Sequence, residues 1–454
     1  LHSPFDIHAL NIGARRPLRT LSLLCLSTAL LSMPAAAQIA VTSGSGDPAS
    51  LDLPAPDLSH EVQNYNKQIG WPADAEPTAP DGFTVTRFAE GLDGPRWLYQ
   101  LPNGDVLVAE AATKPKEPKD EEERRKQELQ KQSGTVKDSA DRITLLRDGD
   151  GDGIPETRSV LLKDLNQPFG MAIIGERLFV ANTDGVMSFP YTPGATEIAE
   201  PGQAILDLPA GGYNNHWTRN LLASEDGSTL FVSVGSASNV AEYGLDEEKR
   251  RANILAVDPD GGNERIYASG LRNPVGMDFL PGTSTLWTAV NERDMIGDSL
   301  VPDYITSVKE NGFYGWPYSY YGRVPDPRIA DKAEPGLIES SIVPDFAVGA
   351  HTASLGLAFY DGEAFPQKYR GGAFIGQRGS WNRSDFSGYR VAFVPFENGK
   401  PSGPIEDFLT GFMPDEAKGE TFGRPVGVLA AQDGSLLVAD DAGGIVWRVS
   451  PTAN

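Results

Sequence analysis

Residues 272–291 read RNPVGMDFLPGTSTLWTAVN. The stretch opens on polar residues, continues through a small and apolar run, breaks at a Gly-containing turn and closes on a β-rich run. The same phrase occurs five more times: GPRWLYQLPNGDVLVAEA from Gly94, NQPFGMAIIGERLFVANTD from Asn166, NHWTRNLLASEDGSTLFVSVG from Asn215, HTASLGLAFYDGEAFPQKYRGGAFIGQ from His351 and GRPVGVLAAQDGSLLVADD from Gly423. Each copy holds two short strands around a tight turn. Further short strands lie between copies, such as RITLLRD at 142–148, NILAVDPD at 253–260 and GYRVAFVPF at 388–396. Six copies with about four strands each predict an all-β fold, a six-bladed β-propeller of four-stranded antiparallel blades. Closure of the ring is expected from residues 82–86, GFTVT, pairing with GGIVWRV at 443–449. A β-sandwich does not explain six similar copies.

The domain expectation is a signal peptide over 1–37, a linker over 38–81 and the propeller over 82–454. Arg15, Arg16 and Arg19 precede an apolar run, residues 21–33, which leads to Ala35-Ala36-Ala37 before Gln38. That order is the pattern of an export signal, and the run is shorter than the ~20 residues a membrane span needs. A periplasmic or secreted location follows as an expectation. Residues 38–81 are rich in Pro, Asp, Ala and Ser without a period. Two insertions interrupt the copies. Residues 113–140 carry EEERRKQELQKQ and read as an exposed charged helix on a loop. Residues 298–345 are rich in Tyr, Trp and Pro and are expected to wall a pocket mouth.

Net charge is −23, which argues against nucleic acid or an anionic membrane as partner. The only cysteine, Cys25, falls in the apolar run. A disulfide framework, a cysteine zinc site and covalent c-type haem are thereby excluded. No GxGxxG follows a strand and there is no P-loop, so neither a Rossmann site nor a phosphate loop is supported.

The first strands of propeller blades line one channel, so equivalent positions in the copies converge. Just ahead of the small-apolar pair stand Gln167, Asn215 with His216, Arg272 with Asn273, His351 and Arg424, with Arg96 nearby in the first copy. Arginines, histidines and amides on one ring suit an anionic, planar group. His216 is the candidate proton acceptor.

The phrases NHWTRNL (215–221), RNPVGMDF (272–279), NERDMIGD (291–298), GFYGWPY (312–318), GSWNR (379–383) and GRPVGVL (423–429) resemble the soluble pyrroloquinoline-quinone (PQQ) sugar dehydrogenases, most of all the sorbosone/pyranose dehydrogenase branch. The resemblance covers residues 82–450 and implies the same six-bladed fold. It implies oxidation of an aldose or related sugar aldehyde, with His216 as base and hydride passing to PQQ. Arg272, Asn273 and Arg424 correspond to PQQ contacts, and Gln167 to a residue beside the sugar. Calcium is implied on main-chain oxygens of the loop Asn291-Glu292-Arg293-Asp294.

The chain departs from better-known members in three places. A blade-five Lys is absent, so Arg378 or Arg383 takes its place, a choice left open. Val426 replaces a second arginine. Asn215 precedes His216 where an Asp is usual, which places Asn215 at the substrate. With one cysteine there is no fused cytochrome, so electrons would pass to a separate acceptor, a cytochrome or a quinone. A second calcium candidate is DGDGDGIPE, where Asp148, Asp150 and Asp152 precede Gly153 and Glu156. Two other readings stay open: a calcium-dependent lactonase-type propeller, and a non-catalytic propeller that binds a glycan or protein.

Overall fold

A computed structural model describes residues 51–452 and the backbone of a short strand, Ser43–Ser45; the expected signal peptide lies outside the described residues. Six antiparallel sheets form the blades of a propeller. Blade one runs from the axis outward as Pro95–Gln100, Val106–Glu110, Arg142–Arg147 and Thr157–Leu162. Blades two to five repeat the meander from Met171–Ile174, Arg219–Ala223, Pro274–Phe279 and Ala358–Phe359. Blade six takes Pro425–Ala430, Leu436–Asp440 and Ile445–Pro451 from the end of the chain and Phe83–Ala89 from its beginning. Val85 lies opposite Val449 and Thr86 opposite Arg448, so the ring closes as the sequence predicts.

The second strand of each blade is largely apolar because both its faces are buried. In Val106–Glu110, Leu107 and Ala109 enter the wedge against blade two, while Val106 and Val108 enter the wedge against blade six. Phe231 and Val232 part in the same way between blades four and two. Six apolar clusters fill the six wedges; the one between blades five and six holds Phe365, Tyr369, Phe374, Phe393, Phe408 and Trp447.

The small residue of the repeated phrase marks where neighbouring first strands meet. A Cβ on Gly276 would stand 2.5 Å from the Leu357 nitrogen, and one on Gly356 2.1 Å from the Val426 oxygen. Blade three has Asn220 at this position. Its amide donates to the Val275 carbonyl at 2.7 Å, so it ties blade three to blade four where a glycine would only make room.

Two expectations about the irregular segments change, and the expected exposed charged helix is found. Residues 51–81 lie against the propeller rather than spacing it from anything. Trp71 packs on Phe412, Phe422 and Trp447 and donates to Asp440 at 2.7 Å. Lys67–Gln68 pairs with Glu420–Thr421, and Thr78 bridges Thr410. The excursion at 298–345 contains the third strand of blade four, Pro302–Ser307, and Gly312–Phe313, which extends blade three. Helix Glu121–Gln132 forms, N-capped by Asp120 and without a buried residue, yet its neighbourhood is the mouth of the channel rather than open solvent.

Because the atoms facing Gly356 are backbone, Gly356→Ala should destabilise the fold by roughly 1–3 kcal/mol through overpacking. Gly211→Ala, whose Cβ meets nothing within 4 Å, serves as control. Urea-unfolding midpoints check this; equal midpoints would refute the tight axis.

Candidate active site

His216 stands just ahead of the first strand of blade three. Its Nδ1 lies 2.9 Å from the Ser236 carbonyl and 2.9 Å from the Ser236 hydroxyl. A carbonyl only accepts, and the Ser236 hydroxyl donates onward to the Ser238 carbonyl at 2.7 Å. Nδ1 therefore carries the hydrogen, and Nε2 keeps a free lone pair. Burial first, and then the positive charge of Arg272, push the imidazole down to about 3, so it is neutral at physiological pH. The support is itself fixed. Glu248 accepts from the amides of Ala237 and Ser238 and from the Ser238 hydroxyl. Arg219 donates to the His216 carbonyl at 2.7 Å.

Arg272 enters from blade four. Its donors reach the carbonyls of Asn239, Asn291 and Glu292 and the Asn239 side chain. Asp294 lies 3.5 Å from Arg272 and 3.1 Å from His351 Nδ1. The other His351 nitrogen contacts the Gly297 carbonyl at 2.9 Å. Both partners only accept, so His351 is a double donor, an imidazolium. Burial opposes that charge, but the bond to Asp294 raises the ring above its usual range. Asp294 is held down by His351 and Arg272 against its own desolvation. His351 is therefore a clamp on the 294–297 loop, and His216 is the histidine left with a free lone pair.

Three arginines meet beside them. Arg96 and Arg378 both bond Asp441 Oδ2, at 2.5 and 2.7 Å. Arg424 donates to the carbonyls of Arg378 and Gly379 and lies over the Tyr389 ring. Arg424 is lowered to about 10 by burial and by Arg378, and Arg96 to about 10 mainly by burial. Three guanidiniums against one carboxylate leave a buried surplus of positive charge. Arg96 Nε and Asp441 Oδ1 are buried without a partner, as is Asn273 Oδ1. A polycarboxylate ring system fits this donor set, because each carboxylate takes a guanidinium fork and relieves the charge surplus.

The insertion roofs the site. Thr135 Oγ1 accepts from Arg424 at 2.9 Å and from both Arg378 Nη atoms, at 3.3 and 3.4 Å. Trp217, next to His216, donates to Thr113 at 2.9 Å, and Lys126 stacks on Trp381. Tyr65 stacks on Trp381 too and sits within reach of the charges of both Asp294 and Arg424.

The remaining sequence candidates divide. Arg378 joins the arginine cluster, whereas Arg383 lies near Asp298 and helps keep that carboxyl low. Gln167 is buried and donates to the Ala112 carbonyl, supporting the base of the roof. Asn215 is exposed beside His216. The Arg293 side chain turns away from the site to Glu292, Asp326 and the carbonyls of Pro317 and Ser319. Asp148, Asp150, Asp152 and Glu156 do converge, on a turn between the outer strands of blade one, with carboxylate oxygens within 4.8 Å of one another. A cavity of about 510 Å³ at the opposite end of blades four and five, lined by Leu280, Trp287 and Phe396 among others, shares no residue with the site.

Sequence reading missed Ser236, Asp441, Thr135 and Tyr65. Ser236 and Asp441, like Asn291 and Arg378, directly follow or nearly follow a second strand. The signal was the polar residue at or just past the end of most copies, which faces the same end of the channel as the residues opening it.

These features accompany a clear family relationship. The TrAA12-like family matches residues 77–306 and 338–452, and the chain belongs to it. A PQQ-dependent pyranose dehydrogenase of Coprinopsis cinerea is 25% identical over 370 residues, 66% of this chain and 48% of that enzyme, so the chain spans about half its length. An uncharacterized protein of Borreliella burgdorferi is 29% identical over 303 residues, 64% of this chain and 77% of its own length. Among solved structures, the holo PQQ domain of the Coprinopsis enzyme superposes with a TM-score of 0.66 at 19% identity, covering 85% of this chain and all of that domain. The apo aldose sugar dehydrogenase of Escherichia coli gives 0.53 at 17% identity, covering 81% and 99%. At these identities the superpositions establish the shared propeller.

The two histidines should titrate apart. His216, lowered from 6.5, stays neutral in the folded protein, so it removes stability as the pH falls below the unfolded value. His351, raised, adds stability below the unfolded value and loses it as the pH rises through the folded one. Ring-nitrogen NMR should find His216 as the Nδ1–H tautomer with no titration midpoint above about pH 5, its folded value lying at about 3. A midpoint near 6.5 would refute the assignment.

Proposed function

We propose that this protein is a PQQ-dependent dehydrogenase of aldoses or related sugar aldehydes. The observation that carries the reading is the surplus of buried positive charge from Arg96, Arg378 and Arg424 beside a neutral histidine with a free Nε2. The names of the relatives support it. PQQ, when bound, supplies a two-electron acceptor and three carboxylates. Arg96, Arg378 and Arg424 would hold carboxylates, and the orphaned Asn273 amide oxygen would accept from a ring N–H. His216 Nε2 would take the proton of the sugar hydroxyl, and the hydride of the adjacent C–H bond would go to the two-electron acceptor that PQQ supplies. The roof would limit the entry of water, with Tyr65 and Trp381 at its edge. Reoxidation falls to a separate acceptor, a cytochrome or a quinone.

The calcium implied by the resemblance does not find a matching donor set in the 291–294 loop, because the carbonyls of Asn291 and Glu292 serve Arg272. A lactonase-type site needs carboxylates around a central metal, and among the described residues the acidic metal-like group lies on an outer turn of blade one. The glycan-binding propeller has no use for a neutral, oriented base.

Dye reduction by the purified protein over a panel of aldoses and sugar aldehydes, with and without PQQ and calcium, tests the reading. Turnover should require PQQ. His216→Gln should keep PQQ binding and lose kcat by about 10²–10⁴-fold. No turnover and no change in PQQ absorbance would transfer the reading to the binding propeller. We also propose export on the basic and apolar residues of 1–37; an N-terminus at Gln38 in the mature protein is the expected finding, and an intact 1–37 would refute it.

A further inference from the structure

We propose that Arg272 is the resident cation of the 291–294 loop, so that this protein works without calcium at its active site. Four oxygens surround one guanidinium. Nε donates to the Asn239 carbonyl at 3.1 Å, Nη1 to the carbonyls of Asn291 at 3.1 Å and Glu292 at 2.5 Å, and Nη2 to Asn239 Oδ1 at 2.9 Å. Arg272 is buried, 3% exposed, so its charge is fixed in place.

A calcium ion needs six to eight oxygens, preferably with carboxylates among them. The carboxylates here are already matched. Asp294 serves Arg272 and His351. Glu292 bonds Arg293 at 3.0 Å. Asp303 accepts from the amides of Glu292 and Ser354 and from the Thr352 hydroxyl. A dication on the carbonyls of Asn291 and Glu292 would press against the guanidinium those carbonyls already hold, with no free carboxylate side chain of the loop to offset it. Arg272 also does what a removable ion does less reliably: its charge helps keep His216 neutral.

The inference rests on the quinone reading for its chemical meaning, though not for its geometry, and the test separates the two. Calcium binding to the acidic turn is first removed with Asp148→Asn/Asp150→Asn. Calorimetry of this variant with calcium alone should give no binding; saturable binding overturns the proposal whether or not PQQ binds. PQQ affinity, followed by absorbance, should differ by less than about two-fold between EGTA and millimolar calcium. Loss of tenfold or more in EGTA, about 1.4 kcal/mol, overturns it while leaving the PQQ reading intact. Arg272→Ala vacates the oxygens and should make PQQ binding calcium-responsive; Arg272→Lys, which keeps a cation there, should stay unresponsive. A calcium-responsive Arg272→Lys or an unresponsive but PQQ-binding Arg272→Ala counts against the proposal. Absence of PQQ binding under every condition would sink the cofactor reading and leave the calorimetric result to decide the cation.

Discussion

The contact of backbone with backbone at the propeller axis sets everything else. Gly276 and Gly356 leave no room for a Cβ because the next first strand is already there. That closeness draws the residues ahead of each first strand, and those just past each second strand, onto one end of the channel. His216, Arg272, Arg378, Arg424 and Asp441 come from four blades, widely separated in sequence, and share a site only because the strands beneath them cannot move apart.

Charge then differentiates the site. On one side Asp294 lies between two cations, Arg272 and His351. The other carries Arg96, Arg378 and Arg424 around a single Asp441. Burying unmatched charge is costly, and here the shortfall is met by weaker acceptors such as the Thr135 hydroxyl. The same asymmetry separates the two histidines. His351 faces only acceptors and a carboxylate, and so keeps its proton. His216 is buried, donates from Nδ1 to a carbonyl and feels the field of the Arg272 guanidinium, and so takes no second proton.

The architecture was legible because a propeller writes its repeat into the chain: polar opening, small residue, turn, β-rich run. The closing strand at residues 82–86 could be read for the same reason. The opening residues His216, Arg272 and Arg424 were also legible, since they share a position relative to Gly276 and Gly427. The partners were harder. Tyr65 belongs to a segment without period, whose placement comes from tertiary contacts such as Trp71 on Trp447 and not from local pattern. Thr135 lies beyond a helix whose sequence shows only charge. The choice between Arg378 and Arg383 turned on which side of a bend each falls, and that depends on Gly379 at φ +101, packed against Tyr389.

Closing blade six with Phe83–Ala89 has a consequence in time. Val85 waits for Val449, so its partner is made only after the five blades between them have been synthesised. Until then the apolar faces of blades one and six have no cover, and Phe88, Leu98 and Val446 stay exposed. Long-range pairing of this kind folds slowly and passes through states with open strand edges. Closure of the ring therefore rests on the pairing of two strands that the rest of the propeller separates in sequence.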